Sequence, residues 1–380
     1  MLEESINDLL AGFKDAEANN HTFLALRGIQ AGREYYVVMC QLKSIPNLFT
    51  FYEKSLPPSL RAQRQLNRSR VPTISRYILD DPKNYVFSSI TASIDGRVEF
   101  FPLGPNGATS YVGHLVVPQS ARFLINDGQH RMAAIEDALK KMPELGSEHI
   151  SVVFFVDGGL KRSQQMFADL NKHALRPTMS LSILYNHRDS LAKLAKKISD
   201  QVPVFVNKVE VEKSSLSNSS LKLFTLSSIY QATKYLLGLG QKVGRIPDRS
   251  EITAIQYWTK VSEHMPHWQL VLEGKATACD LRKNYVDVHG IILQALGIAG
   301  RALLEEHQED WKERLGELEN IDWSRSNKLW EGRVINSGRI TASNKNVTLV
   351  SIVIKKVLGL SLGKVDQDLD KDHEEKIRVD

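Results

Sequence analysis

Cysteine is nearly missing from this 380-residue sequence: Cys40 and Cys279 stand far apart and in no CxxC or CxxH pairing. That excludes a disulfide framework and a thiolate-rich metal site, and leaves two packing thiols in a reducing cytoplasm. Long apolar runs are absent too. Nothing approaches the roughly 20 residues that a membrane span needs, and residues 1–20 alternate acids with small apolar residues instead of following the basic-then-apolar layout of a secretory signal. A cytoplasmic chain without membrane contact is expected. Gly-rich phosphate signatures are missing: there is no GxxxxGK[ST] and no GxGxxG, so neither a P-loop nor a Rossmann site is indicated. GxSxG, HExxH and a recognisable helix-turn-helix are likewise absent. His264 and His267 have ligand-like spacing, but Pro266 interrupts any helix there and no acid or thiol is close in sequence. No metal is expected.

What is present describes an ordinary globular chain, 42% hydrophobic and 24% charged, long enough for one large core or two ordinary ones. The net charge of +5 permits nucleic-acid contact without demanding it. Its distribution says more. Between Glu53 and Arg76, six basic residues (Lys54, Arg61, Arg64, Arg68, Arg70 and Arg76) face one acid. Residues 366–380 run the other way, with Asp366, Asp368, Asp370, Asp372, Glu374, Glu375 and Asp380 outnumbering Lys371, Lys376 and Arg378. A tail this polar is expected to fray.

The pattern predicts a mixed α/β (α+β) fold with a mainly helical C-terminal half. Residues 36–42 and 85–90 read as strands, and 98–101 as a third after the Asp95-Gly96 turn signal. Pro57-Pro58-Ser59 reads as the entry to a helix over 60–67. The clearest unit is a strand at 122–125, a turn at Asn126-Asp127-Gly128, a helix over 129–142 with Met132, Ile135, Leu139 and Met142 on one face, and a strand at 151–156. Beyond 160 helices dominate, at 161–173 with Phe167 and Leu170 inward, at 181–198, and at 286–304, where Gly297 and Gly300 allow a neighbour to approach closely. The serine-rich stretch 213–220 reads as a mobile surface loop. The expected divisions are an α/β domain over 1–205, a helical domain over 206–365 and the acidic tail over 366–380.

Asp127-Gly128-Gln129-His130-Arg131 lies at the strand-to-helix junction. A helix start leaves backbone N–H groups unpaired and carries partial positive charge. Asp127 can cap that end, Gly128 lets backbone approach a bound group, and His130 and Arg131 place a titratable ring and a planar cation in the first turn. Two readings stay open. Asp127 caps the helix and pairs with Arg131 while His130 is exposed, or an oxyanion such as phosphate cancels the charge of the pole and of Arg131. Arg61, Arg64 and Arg68 recur at three and four residues on one helix face, with Arg70 just beyond. They fit a phosphate-backbone track, a solvated face, or, for Arg64 with Asn67, a wall of the pocket that the turn opens. The tryptophans, including those of the Trp-, Asn- and Arg-rich stretch 320–333, are expected mainly in cores.

The pentapeptide DGQHR in this setting resembles the signature of the DndB family. Gln63-Arg64 with Asn67 and Arg70, Asp95-Gly96, residues 167–171 (FADLN), 222–226 (KLFTL), 330–333 (WEGR) and 354–360 (IKKVLGL) are similar to DndB segments in the same order. The resemblance implies a protein of bacterial DNA-phosphorothioation (DNA sulfur modification) clusters, in which sulfur replaces a non-bridging phosphate oxygen. It implies a DNA-binding negative transcriptional regulator or accessory factor that binds its own promoter region and works beside other proteins of the cluster. The motif is also similar to the phosphate loops of ParB and sulfiredoxin, which implies a core of that kind and a phosphate or nucleotide at Asp127, Gly128, Gln129, His130 and Arg131, with Arg64 and Asn67 completing the site. On this reading Arg61, Arg64, Arg68 and Arg70 contact DNA. The alternative is a nucleotide hydrolase, possibly coupled to DNA nicking, with Asp127 or His130 as base and Arg131 offsetting developing charge.

Overall fold

The computed structural model describes residues 20–49, 66–156, 160–172, 177–240 and 243–379. The chain divides into two compact units, Met1–Leu175 and Arg176–Asp380. The boundary expected near residue 205 therefore falls inside the second unit.

The first unit is built on seven strands: β1 (Asn20–Gln30), β2 (Arg33–Gln41), β3 (Ile90–Asp95), β4 (Glu99–Pro102), β5 (Val112–Pro118), β6 (Arg122–Asp127) and β7 (His149–Val156). They form one mixed sheet in the order β4-β5-β1-β2-β7-β3-β6. All neighbours are antiparallel except β3 and β7, which run parallel from Ile90 opposite Val152 to Ile94 opposite Val156. Its helices are α1 (Ile45–Leu48), α2 (Val71–Leu79), α3 (Gln129–Lys141) and α4 (Leu160–Lys172). Ile90, Ala92, Ile94, Val152 and Phe154 are fully buried in the sheet, and Met132, Ile135 and Ala138 of α3 pack on the same core. Leu139 and Met142, expected on the same face as Met132 and Ile135 at spacings of three and four, are partly buried against this core. The strand–turn–helix–strand unit is β6, α3 and β7, but β3 lies between the two strands. Residues 85–89 are not a strand; the strand begins at Ile90, where the chain enters the sheet as the second strand from one edge. In α4, Leu170 is 43% exposed and does not face inward. The helix predicted over 60–67 lies largely outside the described residues.

The second unit holds α5 (Met179–Tyr185), α6 (Ser190–Gln201), α7 (Leu226–Leu236), α8 (Asp248–Glu263), α9 (Pro266–Leu272), α10 (Ala278–Asn284), α11 (Gly290–Glu306), α12 (Trp311–Arg314), α13 (Asn344–Val357) and α14 (Lys364–Val379). The single helix predicted over 181–198 is two, because Asn186 and Asp189 take the backbone out of line. The Asn186 side chain accepts from the N–H groups of Arg188 and Asp189, and Asp189 caps α6 by accepting from Leu191 and Ala192. α11 runs through the core, with Ile292, Leu293, Leu296 and Leu303 fully buried. Trp323 and Trp330 stack with ring centres 5.3 Å apart, both inside this core, so the aromatic stretch at 320–333 is structural.

The acidic tail does not fray. Residues 364–379 are helical, and Asp370 and His373 are buried. The alternation of charge hid an inward stripe: Asp366 accepts from Lys355 at 2.7 Å, and Asp370 accepts from Arg333 at 3.0 Å and from Lys356. No helix among the described residues is long and apolar enough to cross a membrane.

Candidate functional site

The turn between β6 and α3 brings Asp127, Gly128, Gln129, His130 and Arg131 to one corner. Gly128 makes the turn with φ of +109°, in the left-handed region where an L side chain is strained, and it, not Asp127, is the residue that precedes α3. No side chain caps the helix. A Cβ on Gly128 would also lie 3.1 Å from both Arg131 Nη2 and Ile90 Cγ1. Gly128→Ala is therefore expected to cost about 1–2 kcal/mol, the usual penalty for an L-residue forced into this region. Thermal denaturation of the variant checks it, and a melting temperature equal to the parent's contradicts it.

Asp127 turns its carboxylate toward Arg131 instead of the helix N–H groups. Arg131 Nη2 donates to Asp127 Oδ2 at 2.8 Å and to the carbonyl of Ser89 at 3.0 Å. The guanidinium is largely covered and Asp127 about half exposed, at 20% and 47% of their side-chain surfaces. This corrects the expectation that Asp127 caps α3. The guanidinium stands at i+4, one turn on, and a charge-assisted pair there outcompetes a cap. It also means that the charge of Arg131 is already met from within the chain.

His130 is half buried and touches the other element of the corner. Its Nε2 accepts from the backbone N–H of Asn67 at 3.3 Å, which requires the neutral ring with its proton on Nδ1. Asn67 in turn opens the short 3-10 turn Arg68–Arg70, accepting at Oδ1 from Ser69 N at 3.1 Å and from Ser69 Oγ at 2.7 Å. That turn runs directly into α2, whose N-terminal Pro72 cannot donate and so favours a helix start there. Arg68 and Arg70 are thus held beside the start of α3, both exposed, and no carboxylate pairs with either among the described residues. The structure brings Asn67 to the corner as predicted. Arg61 and Arg64 lie outside the described residues.

Sequence reasoning missed two residues here. Ser89 supplies the carbonyl that orients Arg131, and its hydroxyl meets Ser151 Oγ at 2.6 Å. Asn126, fully buried next to the motif, donates from Nδ2 to Ser93 Oγ at 2.7 Å while its Oδ1 has no partner among the described residues. Neither leaves a mark in sequence, since a serine before a strand and an asparagine in a turn are both commonplace. His264 and His267 do not share a ligand: His264 meets Glu319 at 2.7 Å and His267 meets the buried Asp287 at 2.8 Å, acids distant in sequence.

A family model described as DndB, DNA-sulfur modification-associated, matches residues 23–361. No curated protein and no solved structure gives a significant match. The match spans β1 through α13 and contains the whole corner just described, so the likeness rests on both units and not on the pentapeptide alone. The chain belongs to the DndB family of DNA-sulfur modification-associated proteins.

Proposed function

We propose that this protein is a DNA-binding negative regulator or accessory factor of its DNA sulfur modification system, and that it grips the phosphate backbone at the surface beside α3. Family membership supports the setting. The observation that carries the reading is the docking of Asn67 on His130, which fixes two exposed arginines without carboxylate partners, among the described residues, next to an uncapped helix start. Because Asp127 already neutralises Arg131, the charge on offer to a phosphate here belongs to Arg68 and Arg70; Arg61 and Arg64, of the same basic stretch in sequence, lie outside the described residues. Arg131 then acts as the internal brace of the turn.

Phosphate contacts release counterions, so each one adds about 0.9 to the slope of log affinity against log salt. Fluorescence anisotropy with a duplex carrying the promoter region of the gene cluster, titrated across salt concentrations, measures that slope. Arg68→Ala combined with Arg70→Ala is expected to flatten it by about two. Arg131→Ala is expected to lower thermal stability and leave the slope unchanged. An unaltered slope in the double variant, or equal affinity of the parent for promoter and random duplexes, overturns the reading.

A further inference from the structure

A second basic feature lies in the helical unit. A cavity of about 510 Å3 opens at the start of α11, a volume within the range of small-molecule sites. Its wall includes Arg282, Arg325, Arg339, His289, Asn218 and Gln294, with serine and threonine hydroxyls between them. Among the described residues, no aspartate or glutamate lines it.

Arg282 carries the argument. Its side chain is 4% exposed, and its guanidinium donates to the carbonyls of Ser217 at 3.4 Å, Ser220 at 2.9 Å and Lys222 at 2.6 Å. Those carbonyls satisfy N–H groups but not the charge, and no carboxylate pairs with Arg282 among the described residues. A guanidinium does not escape by losing its proton, and a buried charge without a counter-ion is costly. Arg325 reaches the carbonyl of Gly338 at 3.1 Å, again without an acid, and Arg339 is exposed with no ion pair among the described residues. His289 precedes α11 and gives it no side-chain cap; its Nε2 lies 3.3 Å from the carbonyl of Arg282. Burial above all drives the His289 imidazole down to about 4; the contact with the Arg282 carbonyl opposes this, and the charges of Arg282 and Arg325 add to it. The ring is therefore neutral near pH 7, and three arginines with no carboxylate partner among the described residues line the cavity.

We propose that this cavity is a separate anion site for the phosphates of a small polyphosphate ligand of nucleoside-phosphate size. The charge argues for that class over a monocarboxylate: three fixed cations at the positive end of a 17-residue helix match a di- or triphosphate. Planar guanidinium groups also bind phosphate oxygens in pairs.

Calorimetric titration of the full chain with inorganic pyrophosphate, and with ATP in the absence of divalent metal, tests the site. Both are expected to bind saturably, and the Arg325→Gln/Arg339→Gln double variant is expected to weaken each at least tenfold. These two side chains leave the Arg282 contacts intact, so folding is preserved, and a melting curve checks this. Ligand binding also has a spectroscopic signature, because an anion beside His289 favours its charged form. The imidazole is expected to titrate at least about one unit higher in NMR when pyrophosphate is bound. Four results overturn the proposal: no binding at millimolar pyrophosphate, equal binding by the double variant, an unmoved His289 titration, or loss of binding in the Arg68/Arg70 variant instead. Sulfate binding as tightly as pyrophosphate at equal ionic strength does so too, since it marks an unselective basic surface.

Discussion

Gly297→Ala is expected to destabilise the helical unit by about 3 kcal/mol or more, the upper end of the cost of overpacking a core. In a free helix the change is favourable by about 1 kcal/mol, because alanine loses less entropy than glycine. Packing reverses the sign. A Cβ at Gly297 would stand 2.2 Å from the carbonyl oxygen of Ala232 in α7, which is backbone and cannot rotate away. Gly300 makes a similar approach one turn on, where a Cβ would stand 2.3 Å from the ring of Tyr257, whose hydroxyl donates to the carbonyl of Leu296. Relief would require α7 and α11 to separate, exposing Leu293 and Leu296. Urea unfolding followed by circular dichroism gives the loss of stability. Gly240→Ala, outside any helix and with nothing near its Cβ, serves as the neutral control. A Gly297→Ala protein as stable as that control removes close helix contact as the reason for the glycine.

Asp370→Ala is expected to cost about 3–5 kcal/mol locally, the range for breaking a buried ion pair by removing one partner. Arg333 and Asp370 are 7% and 6% exposed, so the guanidinium left behind would be buried without a counter-charge. The result expected in hydrogen exchange is loss of protection over α14, with the α7–α11 core still protected. Burial acts to raise the Asp370 carboxyl, but hydrogen bonds from Lys356 and Arg333, together with their charges, outweigh it and hold the group below its ordinary value. A depressed carboxylate contributes stability above its unfolded value near 4, and that contribution fades as pH falls through the lower folded value. Protection of α14 should therefore hold at neutral pH and fail in acid, and Asp370→Asn should weaken the pH dependence, leaving the part that comes from His373, whose burial lowers its imidazole on the same helix. Protection that is the same in parent and Asp370→Ala contradicts the role given to this pair.

The two largest effects lie in opposite relations to the sequence. Gly297 and Gly300 were legible, because two glycines three apart within an apolar helix have few explanations besides a close neighbour. The docking of α14 was not legible. Its inward groups, Asp366, Asp370 and His373, are those that composition assigns to solvent, and their partners Lys355, Lys356 and Arg333 arrive from other elements. The serine-rich stretch 213–220 is a surface loop as read, but its tie to Arg282, some sixty residues away, which donates to the carbonyls of Ser217 and Ser220, was not legible. At the candidate site, the turn and the helix were readable from Asn126-Asp127-Gly128, whereas the choice of Asp127 between capping α3 and binding Arg131 depended on Ser89, whose carbonyl, just before β3, accepts from the same guanidinium nitrogen.

By itself the sequence determined the mixed α/β class, the strand–turn–helix unit, the close-packed helix and the DndB family, because each is written in local spacing, in glycine, or in short ordered motifs. Tertiary structure decided which of the arginines are paired within the chain and which are not. Arg131, Arg282 and Arg68 are the same residue type: Arg131 meets Asp127 four residues before it, whereas among the described residues no carboxylate pairs with the buried Arg282 or the exposed Arg68.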